Sequence, residues 1–257
     1  MTIQPVSPPP TPEPDPWASL RAFTAARIAL GRTGTSVPLV EALAFRLAHA
    51  HARDAVYSTL DTNRLLSELA DLGLPLGQVQ SRAPDRPTYL RRPDLGRQLH
   101  PASAHRLAAL AAPACDVAVV LADGLSATAA NCHGGPLLRL LLTQLRTAGL
   151  RLGPLVLAEQ ARVALGDAVG ALLHARLVLV LLGERPGLSA PDSLGAYLTL
   201  GPRPGLTDEA RNCVSNIRPA GLPYPAAADK LGWLLREALR RGLTGVALKD
   251  ETELLGP

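Results

Sequence analysis

Two short stretches of this 257-residue chain carry residue types that could hold a ligand. The first is Gly183-Glu184-Arg185-Pro186-Gly187-Leu188, directly after the apolar run Leu177 to Leu182. The second is Arg211-Asn212-Cys213-Val214-Ser215-Asn216-Ile217-Arg218-Pro219. An apolar run bounded by Gly and Pro predicts a strand buried on both faces of a parallel sheet. Ligands of open α/β sheets sit beyond the carboxyl ends of such strands. A carboxylate and a guanidinium delivered there by a Gly/Pro turn therefore mark where a polar ligand should be sought. The competing reading is a surface ion pair that caps neighbouring elements. Cys213 reads equally as a small buried residue.

Other constellations point less far. Asp123, Ser126 and His133 fall on one strand-to-helix segment, and a catalytic triad is defined by geometry rather than by closeness in sequence. Asp123 or Ser126 is better read as a helix cap. His133, within Asn131-Cys132-His133-Gly134-Gly135-Pro136, lacks an acidic or Cys partner at ligand spacing, so no metal site is predicted. GxGxxG, GxxxxGK[ST] and GxSxG are all absent, which removes most support for dinucleotide, P-loop and serine-nucleophile chemistry. No catalytic acid, base or nucleophile is named.

Composition narrows the classes further. Apolar residues make up 47% and charged residues 19%, ordinary globular usage, while aromatics are only 3%. The core must therefore be built from Leu, Ala and Val. The net charge is +4, and the only lysines are Lys230 and Lys249. The arginines are spread along the chain with little aromatic surface to stack on bases, which argues against nucleic acid. Cys115, Cys132 and Cys213 form no CxxC pair and suit a reducing compartment. With no signal-peptide pattern and no apolar run near membrane-spanning length, the chain is expected to be soluble and intracellular.

The elements that must position these residues follow from periodicity. Residues 1–16 contain seven prolines and read as a disordered arm. Helices are expected from Trp17 to Leu30, from Val37 to Tyr57 with Leu39, Leu43 and Leu47 on one stripe, from Thr62 to Leu72 closed by Gly73, and over 102–112. Residues 75–101 read as loop. Strands are then expected at Asp116 to Leu121, Pro154 to Ala158, Leu177 to Leu182 and Gly195 to Leu200. Helices are expected after Ser126 and at Leu137 to Ala148, Glu159 to Ala175 and Ala226 to Arg241. The fold class is α/β: a helical amino-terminal domain over 17–112, then a Rossmann-like, mostly parallel, doubly wound sheet domain over 113–257.

Five ordered blocks resemble the small (light) subunit of ethanolamine ammonia-lyase. They are Leu20 to Arg53, Asp116 to Ala130 (DVAVVLADGLSATAA), Glu159 to Gly170 (EQARVALGDAVG), Gly183 to Pro219, and Ala227 to Glu251. The resemblance implies an adenosylcobalamin-dependent lyase that converts ethanolamine to acetaldehyde and ammonia by a radical mechanism. It implies a large-subunit partner in a hetero-oligomer, with most substrate-binding residues on that partner. It also implies location in the cytoplasm or inside a bacterial microcompartment. Carried over residue by residue, the cobalamin-binding positions are Val163 in EQARVALGD, Glu184 in GERPGL and Cys213 in NCVSNIR. The DxHxxG string that supplies a lower cobalt ligand in base-off cobalamin proteins is absent, so the resemblance implies base-on binding. One departure is Cys132 to Gly135, where relatives more often carry a basic residue before the histidine.

Overall fold

A computed structural model of the chain describes residues 15–110 and 114–251. Most of the proline-rich arm thus lies outside the described residues. Two compact units emerge: 15–54 with 187–190, and the remainder.

In the first unit, the helix expected from Trp17 to Leu30 is a single 3-10 segment, Ala18–Phe23. Asp15 accepts the Trp17 N–H at 2.9 Å, but Trp17 and Phe23 are exposed. A short helix with no face to bury is marginal in water, which is the physical reason for the shortfall. Helix α1 (Leu39–Tyr57) forms as expected. Its Leu39, Leu43 and Leu47 stripe is exposed. Arg21 pairs with Glu41 at 3.2 Å, and Arg27 donates to the Ala44 carbonyl at 3.2 Å.

The second unit begins with α2 (Thr62–Leu69), where the Asp61 side chain caps the helix by accepting the Arg64 N–H. A 3-10 turn follows and ends at Gly73 in the left-handed region, as the sequence required. Residues 75–101 are not loop. They hold β1 (Leu76–Gln80), α3 (Arg86–Arg91) and α4 (Pro93–Gly96), and lead into α5 (Pro101–Ala108).

Strand β1 joins a six-stranded sheet with β2 (Cys115–Ala122), β3 (Leu152–Glu159), β4 (Ala175–Gly183), β5 (Leu194–Leu200) and β6 (Arg211–Ile217), in the order β1-β3-β2-β4-β5-β6. The β1–β3, β3–β2 and β2–β4 pairs are parallel; β4–β5 and β5–β6 are antiparallel. The α/β class holds, but the sheet is mixed rather than the expected parallel, doubly wound one. The cause is the connection 184–193, which contains no helix. A parallel return needs a crossover of about a dozen or more residues, usually helical.

Alternate residues of the central strands face opposite layers. Val117, Val119 and Leu121 pack with Leu177, Leu179 and Leu181 against α2, α6 (Ala127–Thr147) and α8 (Tyr224–Arg241). Ala118, Val120, Val178 and Val180 pack with Leu107 of α5 and with Leu165 and Val169 of α7 (Leu165–Leu172). Burial on both faces explains why β2 and β4 are continuous apolar runs. Helix α6 runs unbroken through Pro136, joining the two segments expected there. The helix expected over Glu159 to Ala175 shrinks to α7, because residues 160–164 form the turn that leads out of β3.

Candidate functional site

The carboxyl ends of β2, β3 and β4 lie side by side, since Ala122 pairs with both Ala158 and Leu182. Glu184 follows β4 directly. Its Oε2 accepts from Ser193 Oγ at 2.6 Å, and its main-chain N–H donates to the Ser193 carbonyl at 3.0 Å. The Asn216 N–H reaches the same carboxylate at 3.3 and 3.4 Å from its two oxygens. Asn216 sits at φ 57°, in the left-handed region that Asn tolerates better than most residues, beside a register shift in the β5–β6 pairing. That irregularity turns its N–H toward Glu184.

Val163 lies in the turn between β3 and α7. The expectation that it belongs to a helix is corrected, because Asp123 at the end of β2 organises that turn. Asp123 Oδ2 accepts the Gln160 N–H at 2.8 Å and Oδ1 the Ala161 N–H at 3.0 Å. Arg86 Nη1 lies 3.7 Å from Asp123 Oδ2. Burial pushes the Asp123 carboxyl up to about 6, against these N–H donors and Arg86. Arg86 also donates to the carbonyls of Val56 at 2.6 Å and Gly124 at 2.8 Å, tying the turn to α3.

Cys213 stands on β6 directly opposite Tyr197 of β5, so the two side chains share a face of the sheet. Cys213 is exposed. Partial desolvation pushes its thiol up, helped by the negative charge of Glu184 and opposed by a hydrogen bond with Tyr197. The Tyr197 phenol is raised too, first by desolvation.

These pieces surround a cavity of about 520 Å³. Val163, Leu182 and Tyr197 give it apolar walls, and Glu184, Arg162 and Arg97 give it charge. Two of the three expected cofactor residues, Val163 and Glu184, thus line one cavity at the strand ends. Cys213 is not in its wall but abuts it through Tyr197. A larger groove of about 820 Å³ lies between α6 and α8. None of the three expected residues lines it, and it is far from the strand ends that gather polar groups, so the smaller cavity is the candidate site.

Ser126, Asp123 and His133 do not assemble into a triad. Ser126 caps α6 and donates Oγ to the Pro191 carbonyl at 2.9 Å. His133 Nδ1 faces the Tyr224 hydroxyl at 2.8 Å and Nε2 faces Asp192 at 3.4 Å. Among the described residues no group of His, Cys, Asp and Glu could hold a metal ion. Nor is any helix among them long and apolar enough to cross a membrane.

The family model of the ethanolamine ammonia-lyase light chain (EutC) matches residues 14–249. The chain belongs to the ethanolamine ammonia-lyase light-chain family. A Rhodopseudomonas palustris protein named ethanolamine ammonia-lyase small subunit is 56% identical over 245 residues, covering 95% of this chain and 94% of that protein. A Bradyrhizobium diazoefficiens protein of the same name is 57% identical over 238 residues, covering 92% of this chain and 91% of the other. One from Xanthomonas campestris pv. campestris is 54% identical over 256 residues, with 98% and 94% covered.

Within this light-chain fold, sequence reading missed several residues that build the cavity. Ser193 falls inside the Gly183 to Pro219 block, and only the hairpin that folds β5 back on β4 brings it to Glu184. Tyr89, at the far wall, sits in a stretch expected to be loop. Arg162 directly precedes Val163 in the EQARVALGD block, where the resemblance carries over only Val163.

Proposed function

We propose that this chain is the cofactor-holding small subunit of an ethanolamine ammonia-lyase, acting with a large subunit that supplies most substrate-binding residues. The observation that carries this reading is that Val163 and Glu184 line one cavity beyond the carboxyl end of β4, with Cys213 set against its Tyr197 wall. The chemistry of the cavity fits a corrinoid. Apolar Val163, Leu182 and Tyr197 suit the flat faces of a macrocycle, and Glu184 can accept from amide N–H groups or a ribose hydroxyl. Arg162 Nε, buried without a partner, remains available as a donor.

Adenosylcobalamin, when bound, supplies the radical chemistry by which ethanolamine becomes acetaldehyde and ammonia. This chain's own contribution is to bind and orient. Val163 and Tyr197 would exclude water from one wall of the site, and Glu184 would fix orientation by accepting hydrogen bonds. The cavity is partly open to solvent, which agrees with a site completed by a second polypeptide.

The test is co-expression with a large subunit and assay of adenosylcobalamin-dependent acetaldehyde release from ethanolamine. Release that requires both chains, with cobalamin affinity weakened by about 1–3 kcal/mol in Glu184→Gln, is the expected result. Full activity of the large subunit without this chain would overturn the reading.

A further inference from the structure

The cavity holds a guanidinium whose charge no carboxylate among the described residues matches. Arg86 and Arg162 both lie over the Tyr89 ring, with Cζ at 4.7 and 4.4 Å from its centroid. The two differ in their counter-charge. Arg86 has Asp123 at 3.7 Å and the Val56 and Gly124 carbonyls. Arg162 has no carboxylate partner among the described residues. Its one side-chain hydrogen bond is a long contact of 3.4 Å from Nη2 to the Tyr89 carbonyl, and its Nε is buried without a partner. A buried donor left in that state costs free energy, about 1–3 kcal/mol and more when charged. An acceptor is needed there, and an anionic one matches the guanidinium charge as well.

Arg162 is also held in place. Its main-chain N–H donates to the Gly96 carbonyl at 2.9 Å. Gly96 carries no side chain, and a Cβ there would come within 2.9 Å of Arg162 Cγ and 3.0 Å of the Tyr89 ring. The start of the Arg162 side chain is therefore held against α4, and its guanidinium lies on the Tyr89 ring. Arg97 and Arg185 line the same cavity. Neither carboxylate that lines it pairs with Arg162. Glu184 holds Ser193 and Asn216, and Asp208 reaches Arg211 at 3.4 Å.

We infer that Arg162, supported by Arg97 and Arg185 at the rim, binds the phosphodiester of the cobalamin nucleotide tail. The inference rests on the cobalamin reading above and extends it to a residue that sets specificity. A corrinoid's amide side chains are neutral, donating through N–H and accepting through C=O; the phosphodiester is the anionic group at its periphery, and a planar guanidinium binds phosphate through paired N–H donors. Charge thus sorts the ligand: Glu184 takes donors, and Arg162 takes the anion.

The experiment compares two corrinoids on the complex of large and small subunits, by equilibrium dialysis at low and high salt. Hydroxocobalamin has the phosphodiester; cobinamide lacks the whole nucleotide tail. The wild-type complex should bind cobalamin more tightly than cobinamide, with a salt dependence only for cobalamin. Arg162→Met should weaken cobalamin binding about tenfold or more and leave cobinamide within twofold. Arg162→Lys, which keeps the charge but not the fork, should recover part of the loss. Gel filtration confirms that each variant still assembles. Equal loss for both corrinoids, loss for neither, or a wild-type complex that binds the two equally would overturn the role of Arg162 while leaving the cobalamin reading intact. A wild-type complex that binds no corrinoid at all would overturn both.

Discussion

Ser193 Oγ donates to Glu184 Oε2 at 2.6 Å, while the Glu184 N–H returns a hydrogen bond to the Ser193 carbonyl at 3.0 Å. The two residues close the ends of the β4–β5 connection upon each other, so one carboxylate rotamer is fixed by a buried hydroxyl. Preorganisation of this kind lowers the cost of binding. Ser193→Ala should therefore reduce the cobalamin affinity of the assembled enzyme by about three- to tenfold, one hydrogen bond's worth, and less than Glu184→Gln does. Titration with hydroxocobalamin measures it. Wild-type affinity in Ser193→Ala would mean that the carboxylate needs no such anchor.

Gly183, immediately before Glu184, is required by close approach. A Cβ at this position would collide with the backbone carbonyl oxygen of Ser126 and come within 2.5 Å of that of Asp123. Both oxygens belong to the turn between β2 and α6, and neither can move without uncapping the helix or loosening β2. Gly183→Ala is expected to destabilise the chain by about 2 kcal/mol or more and to abolish cobalamin binding in the complex. Thermal unfolding and dialysis read the two effects. Near-normal values for both would show that the turn yields more easily than its contacts suggest.

Much of this arrangement is legible in the sequence because burial writes itself into composition. Strands β2, β3 and β4 and helix α8 are read close to their true limits, since a strand covered on both faces is a run of Val, Leu and Ala, and a surface helix keeps its leucines on one side. The edge strands escape for the complementary reason. β1 reads Leu-Gly-Gln-Val-Gln with only alternate residues buried, and β6 reads Arg-Asn-Cys-Val-Ser-Asn-Ile with exposed polar positions between buried ones. Such patterns resemble loops unless a partner strand is known. Glu184 is legible as a ligand candidate from its place after an apolar run. Its partners Ser193 and Asn216 are not, because they arrive from strands whose direction only the tertiary fold reveals.

The most buried ion pair among the described residues anchors β6 to α7. Arg211 donates to Asp167 through two parallel hydrogen bonds of 2.6 and 2.7 Å, and to Thr199 Oγ1 at 3.0 Å. The side chains of Arg211 and Asp167 are 3% and 1% exposed. Removing one partner would leave a buried, uncompensated charge, so Asp167→Ala should cost about 3–5 kcal/mol in urea unfolding. Replacing both, Asp167→Leu with Arg211→Met, should recover most of that loss because no lone charge remains. A double variant as unstable as the single one would show that the hydrogen bonds to Thr199 and the Leu206 carbonyl, rather than the charge, carry the stability.

Two aspartates at opposite ends of β2 should bend the stability profile in opposite directions. Asp123 is pushed up to about 6 by burial, against about 3.9 in an unfolded chain. Between these values the native state holds a proton that the unfolded state has released, so stability falls by about 2–3 kcal/mol as pH rises from about 4 to 6, then levels. Asp116 is held down to about 2, chiefly by hydrogen bonds from Arg151 and then from Arg176. Its contribution is complete above about pH 4 and is lost as pH falls toward 2. It is discounted to about 1–2 kcal/mol, because Arg151 and Arg176 are 64% and 55% exposed and screened by solvent. Asp123→Asn should flatten the limb above pH 4 and Asp116→Asn the limb below it, as measured by urea unfolding across pH 2.5–7. A wild-type stability that stays level between pH 4 and 6 and instead falls below about pH 4, with that fall reduced in Asp123→Asn, would mean that Arg86 and the two turn N–H groups outweigh burial and keep that carboxylate charged.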